Sequence, residues 1–383
     1  MSEHKPSTQP ASGKRALIRD LLIDNVQVRV GLREVNIWRD TVQAWLEQGY
    51  PTELLEDERG VLRETPVDWR DHFGYDMVAV AAPFDSLPLR DYRQVVDESD
   101  EWIVVRNGGG AALKRWKHKS GTPEHVHFRM TSREVWERDY RPYLLDVDRL
   151  RIDVERTRQD LERRRAQGLY TYYQHMFIWE NMRRTMGDIC LYESMALDPE
   201  WIHDYNRVWT DFFKAHFRIL IEEAGVPDGV RLCEDLGYKN GLFCSPRMYE
   251  ALIFPYYQEI VEFFHSYGML VELHTCGSVT DALPLIVEAG FDIVNPMEVK
   301  AGNDVFAFAE QYGDKLMFAG GLDVRVLESG DRDLIRRETA RLIEGMKDRG
   351  ARYIFGSDHS LTTTIRYDDY RYAVDVYREH ALY

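Results

Sequence analysis

From residue 169 onward, six short apolar runs alternate with amphipathic helices. This alternation constrains the fold more than any other feature of the chain. The runs are "YTYYQHMFIW" (170–179), "VRLCED" (230–235), "MLVELHT" (269–275), "FDIVNP" (291–296), "KLMFAGG" (315–321) and "RYIFGSD" (352–358). Parallel strands need crossovers of a dozen or more residues, so strand–helix alternation predicts a parallel sheet wrapped by helices. The helices carry boundary signals of their own. Ser245 reads as an N-cap, Pro246 as a first-turn residue and Gly268 as the stop of a helix over 246–267, and Gly350 closes another over 331–349. Several such units in one chain predict a (β/α)8 TIM barrel with an N-terminal helical and hairpin extension. The alternative, a doubly wound open sheet, wants an early glycine-rich dinucleotide turn, and none is visible.

Residues 16–168 read as an elaboration of one barrel domain spanning 16–383. "EVNIWRDTVQAWLEQGYP" (34–51) carries an amphipathic helix stopped by Gly49 and Pro51, and "YDMVAVAAPFDSLP" (75–88) is a β-rich run ending in turn residues. "EWIVVRNGGGAALKRWKHKSG" (101–121) reads as a hairpin around Gly108, Gly109 and Gly110. No helix follows these glycines, and a phosphate cradle wants a helix N-terminus behind it. The charged segment 131–168 reads as helix with a solvated face. Residues 1–15, polar and proline-bearing, are expected to be a disordered tail without the apolar core of a signal peptide.

The formal net charge of −16 argues against nucleic-acid and anionic-membrane partners. No apolar run nears the roughly 20 residues that span a bilayer. Four widely spaced cysteines (190, 233, 244 and 276) do not make a disulfide framework; reduced thiols and a cytoplasmic protein are expected. The aromatic-rich N-terminal half is compatible with a homodimer.

A barrel of this type places its active site at the C-terminal ends of its strands. The residues that close the runs are Glu234 and Asp235; His274 and Cys276; Asn295 and Glu298; Asp323; and Asp358 and His359. Polar strand ends are expected wherever a chain turns into solvent, which accounts for Asp323 and Asn295. It accounts less well for histidine and cysteine, which are not favoured turn residues. Two histidines and a thiol are the ligand types of a catalytic zinc, which takes about three protein ligands and leaves one position open. A satisfied core histidine beside an inert thiol is the competing reading of "VELHTCGSV" (271–279). Cys190, Cys233 and Cys244 read as small packing residues.

The stretches "EDLGYKNGLFCSPRMYEALIFPYYQEIVEFFHSYG" (234–268), "VELHTCGSVTDALPLIVEAGFDIVNPMEVKAGNDV" (271–305), "GDKLMFAGGLDVRVL" (313–327) and "YIFGSDHSLTTTIRYDDYRYAVD" (353–375) together resemble the uroporphyrinogen decarboxylase superfamily. That superfamily includes zinc methyltransferases that work with corrinoid proteins. The likeness is strongest over roughly 170–380. The arginine-rich stretch that grips porphyrinogen carboxylates in true uroporphyrinogen decarboxylases has no counterpart in "VQVRVGLREVNIWRD" (26–40), which argues against that substrate. The methyltransferase branch carries a His-x-Cys-Gly pair, matched by His274 and Cys276, and a late cysteine, where this chain has His359.

The resemblance implies zinc held by His274, Cys276 and His359, with Glu234 as a displaceable ligand, and methyl transfer between a small substrate and the cobalt of a separate corrinoid protein. Glu234, Asp235 and Asp323 are the catalytic candidates. His175, Tyr238, Asn295 and Glu298 are the substrate-binding candidates. A metal-independent decarboxylase or lyase acting on a small acid, and a non-catalytic barrel that binds a tetrapyrrole or a protein, are the alternatives.

Overall fold

The computed structural model describes residues 13–56 and 62–383. Among them, eight parallel strands form one sheet: β1 (Gly31–Leu32), β2 (Met77–Ala79), β3 (Tyr170–Met176), β4 (Gly229–Cys233), β5 (Leu270–His274), β6 (Ile293–Asn295), β7 (Met317–Ala319) and β8 (Tyr353–Phe355). Each strand from β2 to β7 pairs with the next, and β8 pairs back with β1. Asp76 draws the remaining seam together. Its N–H donates to the Leu32 carbonyl at 2.9 Å, and its carboxylate accepts from the Leu32 N–H at 2.8 Å and from Arg29 at 2.6 and 2.8 Å. The result is a nearly closed barrel ringed by helices, a TIM barrel.

The six apolar runs become β3 to β8. Two strands arise inside the stretch read as elaboration. β1 is only two residues long, too short to show a period of two. The first run is split: its strand ends at Met176 and a helix starts at Ile178. The helix expected over 246–267 is two helices, Pro246–Leu252 and Phe254–His265. Pro255 sits in the first turn of the second, where its missing N–H breaks no helical bond. The expected helix 331–349 runs Arg332–Asp348, capped by Asp331.

The glycine-bearing hairpin belongs to a four-stranded antiparallel sheet of segments 93–98, 102–107, 112–116 and 124–127. The charged segment gives one long helix, Val154–Ala166, after short turns. Residues 1–12 of the expected tail lie outside the described residues, while Lys14 and Arg15 already belong to a helix, Lys14–Leu22. No helix among the described residues is long and apolar enough to cross a membrane.

Strand side chains alternate between barrel interior and helix layer. Val230, Leu232, Val271 and Leu273 pack into the core under the helices. The base of the interior is a second apolar cluster of Tyr170, Tyr172, Ile293, Met317 and Ile354, plugged by Ile18, Leu21 and Leu22 of the N-terminal helix. Arg15 and Arg19 tether that helix to the buried Asp228 carboxylate at 2.7 and 3.0 Å. Above the plug the interior turns polar. Arg33 grips Glu272 through two 2.7 Å bonds, and Arg231 Nε lies 3.2 Å from the same carboxylate.

Candidate metal centre at the barrel mouth

Two rows of inward-facing side chains meet at the top of neighbouring strands. Along β4 the row is Arg231, Cys233 and, just beyond the strand, Asp235. Along β5 it is Glu272, His274 and Cys276. Cys233 and His274 are register partners, so the two rows end side by side. Ligand atoms of Asp235, His274 and Cys276 all lie within 4.8 Å of one another, the one such group of three or more among the described residues. His274 Nε2 is 3.5 Å from Cys276 Sγ and 3.8 Å from Asp235 Oδ1.

The hydrogen bonds around Asn295 fix the state of His274. Asn295 Nδ2 donates to the Ala319 carbonyl at 3.0 Å, and its Oδ1 accepts from Arg231 at 3.2 Å. Oδ1 therefore can only accept from His274 Nδ1, 2.7 Å away. The imidazole carries its proton on Nδ1 and turns its Nε2 lone pair toward the space between itself, the Cys276 sulfur and an Asp235 oxygen, the arrangement that outer partners impose on metal-binding histidines. Burial, and then the Arg231 charge, push the His274 pKa down to about 4, so the ring stays neutral. Burial, and then Asp235 and Glu298, raise the Cys276 thiol well above its ordinary value. A cation bound here would take that proton's place. One nitrogen, one sulfur and one carboxylate oxygen, with room for a further ligand, fit a catalytic zinc.

The loop bearing Cys276 is braced from several sides. Asp235 Oδ1 accepts from the Cys276 N–H at 2.9 Å. Glu298 Oε2 accepts from the Gly277 N–H at 2.7 Å, and Asn303 donates to the Gly277 carbonyl at 2.8 Å. Gly277 has φ of 81°, and a Cβ there would stand 2.2 Å from the Gly237 carbonyl carbon. Both the left-handed conformation and the close backbone approach require glycine.

The other expected site residues are placed differently. Glu234 faces away from the mouth and is fully buried. Its carboxylate accepts from the N–H groups of Phe177 (2.6 Å) and Trp179 (2.7 Å) and from the Tyr257 hydroxyl (2.7 Å). It anchors the start of the helix Ile178–Thr185 rather than joining the ligand group, and Asp235 occupies the ligand position instead. The physical reason is parity: consecutive residues leaving a strand point to opposite faces.

His359 lines a small cavity of about 50 Å³ together with His274, Cys276 and Asn295, but its ring stands outside the ligand group. Asp323 caps the helix Val324–Glu328 and pairs with Arg325, so its carboxylate is committed there. His175 is a packed histidine: Nδ1 donates to the Met176 carbonyl at 2.6 Å, and the rings of Phe84 and Phe213 lie 5.0 and 5.2 Å away. Tyr238 sits half-exposed on a short hairpin against Phe243. Asn295 orients His274, and Glu298 pins the Cys276 loop.

A larger cavity of about 420 Å³ opens beside the ligand group, with His274, Arg231, Gln174, Glu34 and Tyr172 in its wall. None of the last four was among the expected site residues. Charged residues inside otherwise apolar runs, Arg231 and Glu272 above all, were the available signal.

A search of the solved structures finds a methyltransferase from Methanosarcina mazei that aligns over 96% of this chain and 98% of its own, with a TM-score of 0.60 and 13% identity. At that identity the likeness is one of fold. A GH26 beta-mannanase from Bacteroides ovatus, 12% identical, covers 60% of this chain and 73% of its own with a TM-score of 0.39, too low to carry an argument. No curated protein matches the sequence. The model of the uroporphyrinogen decarboxylase (URO-D) family matches residues 189–380, half of the chain, over the strands that carry Asp235, His274 and Cys276. The chain belongs to the uroporphyrinogen decarboxylase family.

Proposed function

We propose that this protein is a zinc-dependent methyltransferase that moves a methyl group between a small substrate and the cobalt of a separate corrinoid protein. The substrate would be a methyl ether, an amine or a thiol acceptor. The observation that carries the reading is the convergence of Asp235, His274 and Cys276 with the His274 Nε2 lone pair turned toward the other two. The family and the fold shared with the Methanosarcina methyltransferase support it.

Zinc, when bound, would act as a Lewis acid on the substrate heteroatom. The chain's own residues supply the rest. Asp235, His274 and Cys276 hold the cation, and Asn295 keeps the imidazole in the competent tautomer. Met77, Val78 and Tyr172 give the adjoining chamber an apolar side that displaces water from the substrate. Glu34 stands in the same wall, with its pKa pushed up to about 7 by burial, and is suited to exchange a proton with the heteroatom.

Metal analysis of the purified chain tests the reading. About one zinc per chain is expected, as structural chemistry of a three-ligand site dictates. Cys276→Ser and His274→Ala should each lose it, and the zinc-loaded protein should demethylate methylcobalamin with a suitable thiol. A chain that stays metal-free after purification and zinc dialysis would overturn it. A metal-independent decarboxylase acting on a small acid would then take its place, favoured by the guanidiniums of Arg231 and Arg70 in the chamber wall.

A further inference from the structure

Guanidiniums gather in and behind the wall of the 420 Å³ chamber. Behind its wall, Arg33 and Arg231 share one carboxylate, Glu272, and the three side chains are 1%, 3% and 5% exposed. Asp235, at the end of the Arg231 row, and Glu34, in the chamber wall, are the further acids around this pair. Arg231 Nε faces the Glu272 carboxylate at 3.2 Å, and its other two nitrogens donate to neutral oxygens, Gln174 Oε1 at 3.0 Å and Asn295 Oδ1 at 3.2 Å. The Glu34 carboxylate accepts from the main-chain N–H groups of Val35 and Ser357.

A third guanidinium sits at the outer side of the same chamber. The Arg70 guanidinium lies over the Trp69 indole, its central carbon 4.1 Å from the ring centre. Its Nη1 makes long bonds of 3.2 and 3.3 Å to the two oxygens of Asp68. Its Nε and Nη2 have no partner among the described residues. The indole supports the guanidinium from one side while those two donors stay unused, and a pair of adjacent free donors suits the two oxygens of a carboxylate. Met77 and Tyr172 supply an apolar surface in the same chamber.

We propose that this chamber takes a small substrate bearing a carboxylate on a compact apolar body, recognised by Arg70 with Arg231 behind it. The inference names the substrate class of the site described above. It rests on the methyl-transfer reading only for what becomes of the bound molecule. The carboxylate would take up the unused Arg70 donors, and the chamber's contact with His274 would place the rest of the molecule beside the ligand group.

The test is a calorimetric titration of the full chain, stripped of metal with a chelator, using benzoate and its neutral analogue benzamide at low ionic strength. Benzoate should bind about tenfold more tightly than benzamide, as one charge-assisted contact allows. Arg70→Gln should bring the two affinities together, whereas Arg247→Gln, an exposed arginine on the helix Pro246–Leu252, should keep the preference. Arg70 is a rim residue whose one carboxylate partner is two positions away, so thermal unfolding of Arg70→Gln should match that of the parent chain. Equal binding of benzoate and benzamide by the parent chain, or a full benzoate preference in Arg70→Gln, would overturn the proposal. Zinc content is read separately on untreated protein, so loss of the carboxylate site and loss of the metal reading give different results.

Discussion

The Nδ1 atom of His274 lies 2.7 Å from Oδ1 of Asn295, whose own amide is committed to the Ala319 carbonyl. This pair decides which imidazole nitrogen faces the mouth. Asn295→Leu removes the acceptor and frees the ring to rotate and change tautomer. Zinc affinity, measured by competition with a chromophoric chelator, should fall by about 10- to 100-fold, the usual effect of losing an outer partner of a ligating histidine.

Glu234 and Asp235 are neighbours with opposite duties, and paired substitutions should separate them. Glu234→Gln puts an amide where two backbone N–H groups and a tyrosine hydroxyl all donate. It should cost about 2–4 kcal/mol of stability, read by denaturant unfolding, because buried donors are left unsatisfied. Its zinc content should stay that of the parent chain. Asp235→Asn should do the reverse: little change in the unfolding midpoint and a clear loss of bound zinc.

His359 shares a small cavity with His274 and Cys276 but stands outside the ligand group. His359→Ala should therefore retain stoichiometric zinc in elemental analysis. Loss of metal in that variant would show that the loop carrying His359 closes onto the site when the cation binds.

Asp228 ties the N-terminal plug to the barrel floor. Burial would raise its pKa, but the hydrogen bonds from Arg15 and the Thr171 N–H outweigh burial and hold it below the ordinary value. A carboxylate with a depressed folded-state pKa contributes stability that is fully present above its unfolded value of about 3.9 and is lost as pH falls through the folded value. Asp228→Asn should lower stability by about 1–3 kcal/mol at pH 7. The difference from the parent chain should persist down to about pH 4 and shrink below it, measured as unfolding midpoints across pH.

Much of this architecture is legible in the sequence, because parallel strands buried on both faces read as apolar runs and their crossovers as amphipathic helices. β3 to β8 follow from that pattern alone. β1 escapes it, since two residues inside "RVGLR" carry no periodicity and the strand is made by its neighbours, Ile354 and Phe355 of β8. The site is legible in His274 and Cys276, two apart, the first closing β5 and the second just beyond it. The choice between Glu234 and Asp235 was open to the same counting: Arg231, Cys233 and Asp235 share a face, and Glu234 does not. What no spacing rule reveals is the position of His359, which depends on the path of a loop, or the commitment of Asp323 to a helix cap.

The backbone crossing of Gly237 and Gly277 has one more consequence. The Ser278 N–H donates to the Tyr238 carbonyl at 2.9 Å just beside that crossing, so the loop after β4 and the loop after β5 are clasped main chain to main chain. Asp235 rides on one loop and Cys276 on the other. The clasp thus ties the two halves of the ligand group to one another through the main chain. For the proposed chemistry, the chamber beside this clasp is then the expected way in for a substrate.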